Sequence, residues 1–313
     1  MKKTVSTVLK TVLAASSVFL IACGGSSDNT DTTKAAVKIA IPDDATNGGR
    51  AIKLLETAGL IEVDPSVGYT PELKDVTKYL YNIEIVPAAA NTLTSTLDDY
   101  GAATINGTYA VPAGLVPSKD ALITEQQDES GSNPYVNIIV ARSEDKDNET
   151  YKKIVEAYHT QTVAEFIIGN YNETFIPAFE YDEAKAESDA AKTVEEVNAY
   201  KSSQEGKTVV TVGVCGANND QWKAVQKVLD DENAGIYIKL QEYDAYTIPN
   251  EALNAGDIDL NAFQHKAYLN NEVETQGYKI ETIGDTLIAP LSLYSKKVGS
   301  VDELKELAGP KGE

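Results

Sequence analysis

Two stretches of the chain repeat one pattern: an apolar run, a short polar loop, then apolar residues at helical spacing. In the first, Val37-Lys38-Ile39-Ala40-Ile41 leads through Asp43 to Arg50 into a helix pattern from Ala51 to Leu60. Ile52, Leu54, Leu55 and Ala58 follow helical spacing there and Gly59 ends it. In the second, Thr208 to Cys215 leads through Gly216 to Asp220 into a helix from Gln221 to Leu229 that buries Trp222, Val225 and Val228. The alternating run Ile236 to Leu240 comes next. Strand, helix and strand in that order require a crossover and so a parallel pair. The fold class is therefore α/β, with mostly parallel sheets flanked by helices, and 313 residues exceed one average domain.

Further strands read at Ile83 to Val86, Ala102 to Ile105, Val136 to Ala141 and Ile258 to Phe263, and at 278–283 and 286–294. Helix patterns read at Asn91 to Leu97, Tyr151 to Ile167, Tyr246 to Asn254 and from Gln264 onward. His159 has no second metal-type ligand at helical spacing and reads as a surface or packing residue. Residues 181–206 are rich in Ala, Glu, Asp, Lys and Ser and read as a solvated, partly helical linker. Ser300 caps a short helix closed by Gly309 and Pro310, and the chain stops where a strand should follow. Joining Glu313 to Val37 would supply that connection.

Residues 1–22 read as a signal peptide, with Lys2 and Lys3 ahead of an apolar run too short to be read as a membrane span. Leu20-Ile21-Ala22-Cys23-Gly24 resembles the lipobox of bacterial lipoproteins, so residues 23–35 read as a lipidated Cys23 and a flexible tether. Cys215 falls in a strand pattern, which leaves no internal disulfide. Removing the signal takes the formal charge from −21 to −24, a field that makes nucleic acid and anionic membrane surfaces poor partners.

Gly48 and Gly49 read as a sharp turn that aims free helix N–H groups beyond the strand end, where Arg50 adds a cation. Taken alone this stretch reads equally as a carboxylate site or as a solvated Arg past a turn. Phe263 and Tyr246, taken singly, read as core, and Asn106 before Gly107 as a turn residue.

Asp259-Leu260-Asn261-Ala262-Phe263-Gln264-His265-Lys266-Ala267-Tyr268-Leu269, Pro290 with Leu293-Tyr294-Ser295-Lys296-Lys297, Asn47-Gly48-Gly49-Arg50-Ala51, Ile105-Asn106-Gly107 and Asn133-Pro134-Tyr135-Val136-Asn137 together resemble the methionine-binding lipoproteins of bacterial ABC importers. The resemblance covers about residues 36–180 and 207–313 in exchanged order, as in a circular permutation. Residues 36–180 resemble the family's C-terminal half, one lobe plus a return into the other. Residues 207–313 resemble its N-terminal half, with 181–206 as the bridge.

The resemblance implies two lobes of the periplasmic-binding-protein type, anchored by lipid at the extracytoplasmic face of the cell membrane. They would close on methionine or a related small amino acid and deliver it, as a monomer, to an ABC permease and its ATPase subunit. It implies neither catalysis, cofactor nor metal. Arg50 would hold the ligand carboxylate, Asn106 and Asn137 the ammonium, and Tyr246, Phe263, His265 and Tyr268 would wall the side-chain pocket, with Asn47 a weaker candidate. The family commonly has a His-Ala-Glu type helix start where this chain has Ala217-Asn218-Asn219-Asp220-Gln221-Trp222, a loop that would face the cleft and bear on ligand choice. A sensor or adhesion lipoprotein of the same fold, or a hydrolase using the cleft, is the alternative.

Overall fold

The structure, a computed structural model, describes residues 35–68, 70–126, 133–172 and 174–312. The signal, Cys23 and nearly all of the tether lie outside the described residues.

Two sheets organise residues 36–312. The first runs Ile83–Ala88, Val37–Pro42, Ala102–Asn106, Leu291–Tyr294, Ala121–Thr124; the second runs Ile236–Tyr243, Thr208–Cys215, Leu260–Asn261, Val136–Arg142, Ile280–Ile288, Ile176–Pro177. In each sheet the first three strands are parallel and the remaining pairings antiparallel, so the sheets are mixed rather than mostly parallel. The reason is the chain path. Val136–Arg142 enters the second sheet from the first and Leu291–Tyr294 returns, so each crossing strand runs against neighbours built by βα crossovers. The apolar run expected as one strand over 286–294 is divided at Ala289-Pro290, which passes from one sheet to the other. Each sheet has its own core, Ile39, Leu55 and Leu293 among the first and Val212, Phe166 and Trp222 among the second.

The helix after the first strand is Ala45–Thr57, six residues earlier than the sequence pattern places it. Asp44 caps it, accepting from the Asn47 N–H at 2.8 Å. Gly48 and Gly49 therefore lie inside the helix, not in a turn. They serve close approach: a Cβ on Gly48 would stand 2.9 Å from the Pro42 carbonyl oxygen, and one on Gly49 2.9 Å from the Thr70 Cα. Over Asn91 to Leu97 the expected helix is replaced by 3₁₀ turns at Ala90–Thr92 and Leu97–Asp99. The hydroxyls of Thr92, Ser95 and Thr96 donate to nearby carbonyls there and compete with regular helix bonding.

Residues 181–206 are not a solvated linker throughout. Glu183–Ala199 is a 17-residue helix capped by Asp182, and its Ala186, Ala190, Thr193 and Val197 face is buried. Small residues let it lie close on the helix Gln161–Asn170: a Cβ on Gly169 would come within 3.0 Å of Ala190, and Thr193 Oγ1 donates to the buried Glu165 at 2.6 Å. At the far edge of the first sheet, Val37 N donates to the Asn82 carbonyl and Asn82 N to the Gly309 carbonyl, both at 2.9 Å. The first strand and the exit of the final helix Val301–Ala308 thus meet at one residue.

Candidate ligand-binding site

Between the two sheets lies a narrow chamber lined by Asn47, Arg50, Asn106, Asn137, Tyr246, Phe263, His265 and Tyr268 together with Thr108, Gln264 and Ala289. All eight residues singled out from sequence thus reach one cavity. Asn47 and Arg50 come from the helix Ala45–Thr57, Asn106 from the end of its strand, and Asn137 from the crossing strand. His265 and Tyr268 open the helix Lys266–Gln276.

The polar wall is oriented by a carboxylate behind it. Asp44 can only accept, and it takes Asn47 Nδ2 at 3.0 and 3.1 Å, so Asn47 turns its Oδ1 to the chamber. That oxygen accepts from Asn106 Nδ2 at 2.8 Å. The Asn106 amide is thereby fixed with its Oδ1 left over, buried and without a partner among the described residues. A buried acceptor in that state costs about 1–3 kcal/mol unless a donor arrives.

His265 caps its helix: Nδ1 accepts from the Tyr268 N–H at 3.1 Å, which puts the ring proton on Nε2, 3.3 Å from Asn47 Oδ1. Burial, and then the Arg50 guanidinium, hold the imidazole well below its ordinary value of 6.5. The unfolded chain therefore binds a proton that the folded chain refuses, and stability falls as pH drops below about 6.5. His265→Gln is expected to flatten that slope, measured as the difference in urea midpoint between pH 7 and pH 5.

Arg50 is 3 % exposed. Its Nε donates to Glu125 Oε2 at 2.6 Å, its Nη2 to Glu125 Oε1 and to the Ala289 carbonyl at 3.1 Å, and the Tyr135 ring lies 4.4 Å from Cζ. These bonds use Nε and Nη2 and not Nη1, and Arg50 is among the residues lining the chamber. Tyr246, Phe263 and Tyr268 form an aromatic group with centroids about 6 Å apart, and Tyr109 adds a fourth ring 5.0 Å from Tyr246. Burial pushes the phenols of Tyr246 and Tyr268 up, so both stay neutral. The wall suits an apolar, polarisable side chain.

Sequence reasoning missed several supports. Glu125 and Tyr135 hold Arg50; Tyr135 lies inside the Asn133 to Asn137 motif, while nothing near Glu125 in the sequence points to that partner. Asn250, Asn261 and Gln264 form a buried amide cluster, with Asn250 Oδ1 accepting from Asn261 at 2.9 Å and Gln264 at 2.6 Å, and Gln264 Oε1 accepting from Asn250 at 2.8 Å. The Asn-Ala-Phe-Gln-His run was a usable signal for it. Asp44 is a capping residue type and was a usable signal for the helix start at Ala45.

The departing loop does reach the cleft. Asn218, Asn219 and Trp222 line a second space that shares Thr108, Asn137, Phe263 and Ala289 with the first. Trp222 Nε1 and Asn218 Oδ1 are buried there without partners among the described residues. Cys215, also lining it, is buried, and that burial pushes its thiol up, away from the thiolate form. The described residues contain no cluster of metal-ligating side chains and no helix long and apolar enough to cross a membrane.

The chain matches the NlpA lipoprotein family over residues 26–179 and 210–309. It is 41 % identical over 137 residues to the D-methionine-binding lipoprotein MetQ of Salmonella typhimurium, covering 43 % of this chain and 49 % of that one. With the protein of the same name from Escherichia coli K12 it shares 42 % over 130 residues, 41 % and 46 % of the two chains. Among solved structures, a nutrient binding protein from Burkholderia cenocepacia bound to methionine is 34 % identical over 44 % of this chain and 57 % of that one, with a TM-score of 0.41. The chain thus spans about half the length of the curated relatives it matches. With the family matched along both halves, on either side of the helix Glu183–Ala199, this chain belongs to the NlpA lipoprotein family.

Proposed function

We propose that the chain is a lipid-anchored binding protein that captures methionine, or a close small amino acid, between its two sheets for an ABC importer. The observation that carries this is the pairing, in one chamber, of a buried guanidinium that bonds Glu125 and Ala289 through Nε and Nη2 with a buried amide oxygen, Asn106 Oδ1, that lacks a donor among the described residues. A zwitterion suits both groups. Its carboxylate goes to Arg50, its ammonium to Asn106 and Asn137, and its side chain to Tyr246, Phe263, His265 and Tyr268, with Asn47 holding Asn106 in place. The names of the MetQ relatives support methionine as the occupant. Cys23 carries the lipid at the extracytoplasmic face of the membrane, and the ABC permease and its ATPase subunit receive the ligand from a monomer.

The test is titration of L- and D-methionine into residues 24–313 freed of co-purified ligand by unfolding and refolding. Heat and the fluorescence of Trp222, the single tryptophan, are followed together. Saturable one-to-one binding is expected. A folded protein that binds neither enantiomer overturns the assignment.

The order of the halves belongs to the same proposal: the chain is a circular permutation of its family. Two separate family matches and the meeting of Val37 and Gly309 at Asn82 support it. A relinked chain running 207–312, a short Gly-Ser connection, then 37–206 is expected to fold and to bind methionine within about threefold of the parent. A relinked chain that does not fold removes the permutation reading.

A further inference from the structure

Arg50 stands between two cavities, the ligand chamber and a wider one on its far side, where Lys53, Leu54, Thr57, Pro65, Glu125 and Tyr135 are among the lining residues. Glu125 lines only the far one. From there its carboxylate takes the Nε and Nη2 edge of the guanidinium, and its own backbone N–H is held by the Leu291 carbonyl at 3.0 Å. The cation is therefore balanced before any ligand arrives. On the chamber side, Asp44 adds a second carboxylate behind Asn47, and His265 is neutral. Lys53, the other cation near the far cavity, is paired with Glu56 at 3.0 Å.

We propose that Glu125 is a specificity-determining residue that makes the chamber select zwitterions over plain carboxylic acids. This rests on the reading of Arg50 as the carboxylate holder. An unbalanced guanidinium would attract any anion. With Glu125 on its back edge, an incoming carboxylate gains the Nη1 contact but meets a second negative charge behind the cation. A zwitterion recovers that loss, because its ammonium is attracted by the same carboxylates; an acid without the amine does not. Removing the charge of Glu125 should therefore change zwitterion affinity little and acid affinity much.

The experiment compares L-methionine with 4-(methylthio)butanoate, which has the same side chain and carboxylate without the amine, in the parent, E125Q and E125D. The methionine-to-acid affinity ratio is expected to fall by about tenfold or more in E125Q, the order of magnitude of one partly screened charge contact. In E125D, which keeps the charge, it is expected to stay near the parent value. E125S serves in place of E125Q if the latter does not fold, with the same expected shift. A residue that only braces Arg50 would weaken both ligands together and leave the ratio unchanged, and that result in a folded variant overturns the assignment. A parent that binds neither compound overturns the reading of the site and this assignment with it; a parent that binds methionine with an unshifted ratio in E125Q overturns this assignment alone.

Discussion

Methionine affinity is expected to fall at least about 100-fold in Arg50→Ala. A charge-assisted hydrogen bond is worth about 1.5–3 kcal/mol, and truncating one partner of a buried charged pair costs about 2–5 kcal/mol, against about 1.4 kcal/mol for each factor of ten. Two effects contribute. The ligand carboxylate loses its cation, and Glu125, whose side chain is only 15 % exposed, is left negative with no partner on the chamber side. The second effect lowers stability as well, so the variant's fold must be checked by circular dichroism before its binding is read. Arg50→Lys keeps the charge without the planar fork, cannot hold Glu125 and a ligand on separate edges, and is expected to lose about tenfold. Unchanged methionine binding in Arg50→Ala would remove Arg50 from the site.

Asn250→Leu is expected to lower stability by about 3 kcal/mol, read as a fall of about 6–12 °C in Tm. Asn250 is 0 % exposed and is the hub of the amide cluster behind the chamber. A leucine of similar size removes its donor and acceptor together. Gln264 Oε1 then has no donor, Gln264 Nε2 keeps only Asn261 Oδ1 at 3.0 Å, and Asn261 Nδ2 keeps only the Pro249 carbonyl at 3.3 Å. Because Gln264 also lines the chamber, methionine affinity should fall with stability. A Tm within 2 °C of the parent would mean that water replaces the lost partners.

The alternation of strands and helices was legible because periodicity records which face is buried. That reading held for the parallel pairs Val37–Pro42 with Ile83–Ala88 and Thr208–Cys215 with Ile236–Tyr243. It failed where the burial signal and the local signal diverge. Residues 183–199 carry few bulky apolar side chains, yet Ala186 and Ala190 are buried because small residues allow a close helix pair. Gly48 and Gly49 resemble a turn, yet they are needed inside a helix because the backbone at Pro42 and Thr70 presses against it. The antiparallel strands were hidden for another reason: direction in a sheet is set by where the chain comes from, and a single strand's pattern does not record that. The chamber lining was legible through the combination of motifs, whereas the charge partner of Arg50 lies 75 residues away in an unremarkable stretch.

Ala289 is both the acceptor for Arg50 Nη2 and one half of the Ala289-Pro290 step between the two sheets. The guanidinium at the chamber wall is therefore tied to the backbone that joins the sheets. Any turning of one sheet against the other about that step stretches or restores the Arg50 contact. The angle between the sheets and the position of the guanidinium are then one mechanical coordinate, set at a single peptide carbonyl.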